Sequence, residues 1–74
     1  MTLKELAIGQ TGRIKKINTT GILKQRFVSM GLTKGVEVTV IKVAPLGDPI
    51  EIEVRGYNLS VRKDDAQDIE IEVL

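Results

Sequence analysis

Apolar and polar residues alternate on each side of Gly56 in the stretch IEIEVRGYNLSVR, residues 50–62. Period-two alternation is typical of β-strands that have one buried face and one solvated face. Gly56 divides the stretch into two strands, because glycine allows a tight link between them. Ile52, Val54 and Leu59 lie in phase with the apolar face and are predicted core residues. The stretch therefore predicts two consecutive strands of a β-sheet.

The same alternation predicts three further strands. Residues 36–43 and 69–73 alternate β-branched with mostly charged residues, and residues 12–18 read as an earlier, basic strand. Further predicted core residues on these strands are Ile14, Val38 and Ile71. Turn sequences separate the strands: PLGDP at residues 45–49 excludes continuous ladder pairing, and DDAQ at residues 64–67 is typical of a single helical turn.

Two of these strands change phase. The apolar positions of the strand at 36–43 shift between Val40 and Ile41, and those of the strand at 12–18 shift between Ile14 and Ile17. A phase change inside a β-branched run predicts a β-bulge or strong coiling, which the corners of a small barrel require.

One segment, residues 20–31, breaks the β pattern. Its apolar residues recur at the helical spacing i, i+4 and i+7: Leu23, Phe27 and Met30. Thr19 or Thr20 can cap the start of this helix, and Gly31 stands where a glycine commonly ends one. Five short strands with one short helix after the first predict a mainly β fold, a small barrel of the SH3-like type.

The composition indicates one globular domain over residues 1–74. Hydrophobic residues make up 42% of the chain and charged residues 28%, and the chain contains no cysteine and no histidine. Without those two residue types it lacks the usual nucleophile, the usual general base and the best zinc and iron ligands. We therefore expect no enzyme, no catalytic residue, no cofactor and no tight transition-metal site.

Charge is distributed unevenly along the chain. Residues 1–37 have a net charge of +5 and residues 38–74 a net charge of −4, which leaves +1 overall. The asymmetry predicts cross-strand charge pairing, and the small net charge predicts no bulk attraction to nucleic acid or to a membrane. No apolar run approaches the roughly 20 residues that span a bilayer, so we expect no membrane insertion and a cytoplasmic location.

Two carboxylate pairs, Glu51 with Glu53 and Glu70 with Glu72, raise the question of a metal site. Side chains at i and i+2 of a strand share a face about 6.5–7 Å apart, which also suits pairing with basic residues of a neighbouring strand. A solvated strand face is the preferred interpretation, and we predict no metal ligand among them.

Three runs of residues resemble the signature of the ferrous iron transport protein A (FeoA) family: 26–35, 44–50 and 56–62. The resemblance extends over essentially the whole chain in order. The signature positions, which we interpret as structural, are Met30, Gly31, Leu32, Gly35, Pro45, Gly47, Asp48, Pro49, Gly56, Leu59 and Arg62. Among them, Gly31 is expected to end the helix and Leu32 to pack back on it.

The resemblance implies a bacterial, cytoplasmic accessory protein of ferrous iron transport, within a family associated with transition-metal ions. Its implied partner is the cytoplasmic soluble domain of FeoB, the G-protein-linked iron transporter, at the inner face of the membrane. Helix residues Lys24, Arg26 and Val28 project away from the apolar stripe and are the candidate partner-binding residues. An ordinary solvated helix surface is the alternative interpretation of these three residues.

Two other functions remain open from the sequence. The chain could be a free-standing regulatory domain related to the C-terminal domain of metal-dependent repressors, or a small nucleic-acid-binding barrel. The second is disfavoured because such barrels stack bases on aromatic side chains, and only Tyr57 and Phe27 are present. Phe27 is expected in the core, so we predict no nucleic-acid partner.

Overall fold

Five antiparallel strands and a nine-residue helix form the fold in the computed structural model, which describes residues 1–74. The strands are β1 (Thr11–Ile17), β2 (Glu37–Val43), β3 (Ile50–Val54), β4 (Tyr57–Val61) and β5 (Ile69–Val73). The helices are α1 (Gly21–Ser29) and the single turn α2 (Lys63–Ala66), and a 3₁₀ turn covers Leu3–Glu5. The strands follow the order β4-β3-β2-β1-β5 in one sheet. The predicted mainly β architecture, with one short helix after the first strand, is confirmed. Neither helix has the length and apolar character needed to cross a bilayer.

The core lies between the concave face of the sheet and α1. Fourteen apolar residues form one buried cluster, and no polar residue is buried with them. The predicted core residues that are buried are Ile14, Phe27, Val38, Ile52, Val54 and Ile71. Leu23 and Leu59, also predicted there, are only half-buried and pack against the cluster. Leu59 lies on β4, an edge strand that has a neighbour on one side only.

Both predicted changes of phase are β-bulges. The register between β1 and β5 shifts between Ile14 and Lys16, and the register between β2 and β3 shifts between Val40 and Lys42. A bulge inserts one unpaired residue, so two consecutive side chains can point to the same side of the strand. In β1 those two side chains are Lys15 and Lys16, and both are exposed.

Helix α1 ends at a glycine, as expected. Gly31 has φ +89°, its N–H donates to Val28 O at 3.0 Å, and the N–H of Leu32 donates to Phe27 O at 2.9 Å. This pair of bonds defines a Schellman motif, which turns the chain back so that Leu32 is buried. At the other end Thr20 occupies the N-cap position, but its side chain makes no capping hydrogen bond, so that expectation is not met.

Opposite charges face each other across the strands. Arg13 on β1 approaches Glu37 at 3.7 Å and Glu72 at 4.0 Å, and Lys42 on β2 approaches Glu51 at 4.0 Å. The predicted cross-strand charge pairing is therefore present, but only Arg13 with Glu72 joins the basic half of the chain to its acidic half. Exposed pairs of this kind contribute at most about 1 kcal/mol each, so they favour the register more than they stabilise the fold.

Candidate functional site

The three residues predicted to bind a partner are all exposed on α1, but they do not form one surface. Lys24 and Val28, one helical turn apart, line the depression on one flank of the helix. Arg26 lines a different depression on the opposite flank. At about 100° per residue, Lys24 and Arg26 are separated by roughly 200° around the helix, with the buried Phe27 stripe between them.

The depression on the Arg26 flank, which we name the arginine groove, lies between α1 and the junction of β4 with α2. It has a volume of about 390 Å³ and is lined by Leu23, Arg26, Phe27, Met30, Ser60, Val61, Arg62 and Asp65. Four of the lining residues are apolar, but most of the exposed surface of the groove is polar. The ion pairs of the structure involve only Arg13 and Lys42 among the basic residues, so neither arginine of the groove has a carboxylate partner.

The depression on the other flank, which we name the lysine face, has a volume of about 440 Å³. It is lined by Lys15, Lys16, Ile17, Lys24, Val28, Thr33 and Lys34. The four lysines come from three segments: the bulge in β1, helix α1, and the turn that leads into β2. None of them forms an ion pair, and no acidic residue lines the face.

The turn at residues 45–49 supports α2. The N–H of Gly47 donates to Ala44 O at 2.7 Å, and the N–H of Ala44 donates to Pro49 O at 3.0 Å. These bonds hold the loop so that Asp48 Oδ1 accepts the N–H of Lys63 at 2.9 Å, at the start of α2. A carboxylate there satisfies an otherwise unpaired helix donor, which gives Asp48 the structural role of a cap supplied from another loop.

The remaining signature positions are of two kinds: some form turns of the backbone, and others line the arginine groove. Gly35 and Gly56 have φ values of +91° and +84° and sit in turns. Met30 and Arg62 line the arginine groove, so these two positions border a surface and are not purely internal. The position of Arg62 beside α1 could not be predicted from its place in the signature, because nothing in the sequence shows that the end of β4 lies beside α1.

Three of the four carboxylates in the two glutamate pairs have a polar partner on a neighbouring segment. Glu51 faces Lys42, Glu72 faces Arg13, and Glu70 Oε2 accepts a hydrogen bond from Asn18 Nδ2 at 2.7 Å. That bond from Asn18 is the main reason why the pKa of Glu70 lies below its usual value of 4.5, with Lys16 and Lys15 adding to the effect. No three acidic residues come together in the geometry of a metal site.

The chain matches the model of the FeoA domain family over residues 1–73. The Fe(2+) transport protein A/Fe(2+) transporter FeoB fusion protein of Porphyromonas gingivalis is 36% identical over 74 residues, which are all of this chain and 9% of the fusion protein. The solution structure of iron(II) transport protein A from Clostridium thermocellum is 40% identical, with a TM-score of 0.97 over all of this chain and 46% of that one. A FeoA-like protein from Clostridium acetobutylicum is 36% identical, with a TM-score of 0.92 over all of this chain and 86% of that one.

More distant structures share the fold. The FeoA of Stenotrophomonas maltophilia, described as an SH3 domain protein, is 22% identical, with a TM-score of 0.85 over 97% of this chain and 89% of that one. A manganese-dependent transcriptional repressor is 19% identical, with a TM-score of 0.90 over 99% of this chain and 40% of that one. The SH3-like architecture predicted from the sequence is thus confirmed. Together with the match over residues 1–73, these findings show that the chain belongs to the FeoA domain family, which is linked to ferrous iron transport.

Proposed function

We propose that this chain is a non-enzymatic accessory domain of ferrous iron uptake that acts by contacting the cytoplasmic soluble domain of FeoB. The observation that carries the proposal is the relative in which an Fe(2+) transport protein A segment and the transporter FeoB form one polypeptide. Fusion holds two domains at a high effective concentration, which favours contacts between them. As a separate protein, the domain would reach the same partner by diffusion at the inner face of the membrane.

The titratable groups also favour a domain that binds a partner and catalyses no reaction. The pKa values of Glu5 and Glu70 are lowered, and in each case the main cause is a hydrogen bond from a neighbouring residue on the surface. Catalytic sites more often combine shifted pKa values with a cleft and several groups of matched function. Any nucleotide chemistry would then belong to the partner.

The Arg26 flank of helix α1 is the proposed contact, with Arg26 as its anchor. Lys24 and Val28, the other two candidate residues, lie on the opposite flank and are not part of it. Arginine is enriched at interface hot spots, where it combines a planar set of donors with an apolar surround. Arg26 meets that description because it lines the arginine groove together with apolar residues and forms no ion pair within the chain. An acidic residue of the partner, followed by an apolar one that enters the groove, is the complementary chemistry.

A pull-down with the purified soluble domain of FeoB, with and without guanine nucleotide, tests this proposal. The unchanged chain should retain the partner, and Arg26→Glu should lose it, because charge reversal replaces attraction with repulsion across the interface. The matched control is Arg55→Glu at the far end of β4, in the β3–β4 turn, which makes the same charge change away from α1. Full retention by Arg26→Glu, or equal loss in both variants, would show that the arginine groove is not the contact.

A further inference from the structure

We propose that the lysine face docks this domain onto an anionic phospholipid bilayer, through Lys15, Lys16, Lys24 and Lys34 arranged around the apolar side chains of Ile17 and Val28. This interaction goes beyond the contact with FeoB and does not require it. It concerns binding at the surface of the bilayer, without insertion of a helix.

The fold assembles this face from parts that are distant in sequence. The bulge in β1 places Lys15 and Lys16 on one side, whereas a regular strand would send them to opposite faces. Two backbone hydrogen bonds then fasten the following turn to the same strand: Gly35 N–H to Ile14 O at 2.8 Å, and Ile14 N–H to Val36 O at 2.9 Å. Lys34 is thereby held beside β1.

The charge at the lysine face differs strongly from the net charge of +1 of the whole chain. Glu70, opposite Lys16 in the register of β1 and β5, borders the face, and its carboxylate is engaged by Asn18. Carboxylates elsewhere on a molecule of 30 × 25 × 23 Å act through salt solution with a Debye length of about 8 Å. Their field is therefore largely screened at the lysine face, which stays positive although the chain as a whole is nearly neutral.

The side-chain types favour a lipid surface over a protein or a nucleic acid. Lysine is depleted at protein interfaces, which prefer arginine and aromatic residues, and the lysine face contains neither. Single-stranded nucleic acid needs aromatic stacking, but Phe27 is buried and Tyr57 does not line this face. Lysines around a few apolar side chains, with Val28 50% exposed among them, are the pattern that attracts proteins to anionic bilayers.

Weak binding is enough for such a role. Each lysine near an anionic surface strengthens binding about fivefold, so four of them give an association constant on the order of 10³ M⁻¹. In the fusion relative the corresponding segment shares its chain with a transporter. A domain held beside a bilayer in this way is exposed to a high effective concentration of lipid, and the lysine face would set its orientation there.

Co-sedimentation with vesicles tests the inference on the intact chain. We expect no binding to phosphatidylcholine vesicles, and half-maximal binding to equal mixtures of phosphatidylcholine and phosphatidylglycerol on the order of 1 mM accessible anionic lipid. Binding should fall steeply as salt is raised. The decisive variant changes all four lysines of the face to glutamine and should abolish the binding.

A control variant with the same net charge separates this site from a general charge effect. Lys4, Lys42, Arg55 and Lys63 are exposed and lie off the lysine face, and changing all four to glutamine also lowers the net charge from +1 to −3. This control should keep the unfolding temperature and the vesicle binding of the unchanged chain. Equal loss in both variants would overturn the site, and failure of the unchanged chain to bind at ~10 mM anionic lipid would overturn the inference itself.

Other anions serve as competitors. Inorganic phosphate at the same phosphate concentration should not displace the protein from vesicles, because single phosphates lack the density of charge at a bilayer surface. An oligonucleotide that binds the face more tightly than the vesicles do would identify a nucleic-acid surface and contradict the proposal. Because FeoB is absent from this experiment, its failure would leave the pull-down with Arg26→Glu unaffected.

Discussion

The arginine groove and the lysine face lie on opposite flanks of the same short helix, yet they present positive charge in different ways. In the groove, Arg26 and Arg62 line the same depression as four apolar residues, which include Phe27 and Met30. On the lysine face, four lysines from three segments surround two apolar residues, Ile17 and Val28. Neither set has an internal ion pair.

This difference indicates that the residues around a charged group affect the choice of partner as much as the charge itself does. A guanidinium in a groove with apolar neighbours can select one partner, because hydrogen-bond geometry and burial act together. Flexible ammonium groups over a shallow surface attract any dense array of negative charge and select little. One helix can therefore carry a specific contact on one flank and a general one on the other.

Removal of the Phe27 side chain, which supports both flanks of α1, should have the largest effect on stability and binding. Phe27 is 1% exposed and packs beneath α1, so Phe27→Ala is expected to lower the free energy of unfolding by about 3–5 kcal/mol. Both binding activities should fall together, because both flanks depend on the position of the helix. Urea denaturation followed by the two binding assays measures this. Val28→Ala, a truncation at an exposed position of the same helix, is the control and should stay within about 0.5 kcal/mol.

A substitution at Gly31, which ends α1, should lower the free energy of unfolding by less. Gly31 has φ +89°, and a Cβ added there would meet Val54 Cγ1 at 3.6 Å, an ordinary contact. The cost of Gly31→Ala therefore comes from the left-handed backbone and should be about 1–2 kcal/mol. At equal fractions of folded protein, both flanks should bind normally. A selective loss of one activity would mean that Gly31 shapes that surface directly.

Much of the fold could be predicted because local patterns determine it. Alternation located the strands, the 3.6-residue spacing located α1, and the changes of phase located both bulges. The core positions of Leu3 and Leu6 were missed, since an isolated 3₁₀ turn has no periodic signal long enough to detect.

The candidate site was harder to predict. The exposure of Lys24, Arg26 and Val28 could be inferred, but the prediction treats them as one partner-binding surface, whereas Arg26 lies on a different flank from the other two. The neighbours of each flank could not be inferred, because Arg62 and Lys34 reach α1 only through tertiary packing. Residues that meet in this way leave no pattern in a single sequence.

Two single charge reversals test whether the two flanks of α1 bind different partners. Arg26→Glu should weaken binding to the FeoB domain roughly tenfold or more while leaving vesicle binding nearly unchanged. Lys24→Glu should weaken vesicle binding at least fivefold, with a smaller effect on FeoB. Each variant should unfold within about 0.5 kcal/mol of the unchanged chain. If both reversals impair both activities equally, α1 carries one continuous surface and the division into two flanks is wrong.

The smallest expected effect concerns the acidic border of the lysine face. Asn18 Nδ2 donates to Glu70 Oε2 at 2.7 Å, and this bond, assisted by Lys16, Lys15 and the amino terminus, lowers the pKa of Glu70 below 4.5. A carboxyl group whose pKa is lower in the folded state stabilises the fold above the unfolded value, and that contribution is lost as pH falls through the folded pKa. In Asn18→Ala the pKa of Glu70 should rise towards 4.5, so this contribution should be smaller and should be lost over a narrower range of pH.

Protonation of Glu70 also removes the negative charge that borders the lysine face. Vesicle binding should therefore strengthen slightly as pH falls through the pKa of Glu70, and in Asn18→Ala this rise should occur at a higher pH. An NMR titration of the glutamate side chains measures the shift directly. Glu5 is the internal control, because its pKa is lowered mainly by the backbone N–H of Thr2 at 2.8 Å, which Asn18→Ala does not touch. If Glu70 titrates identically in both proteins, the neighbouring lysines set its pKa, and their field at this border is stronger than the hydrogen bond.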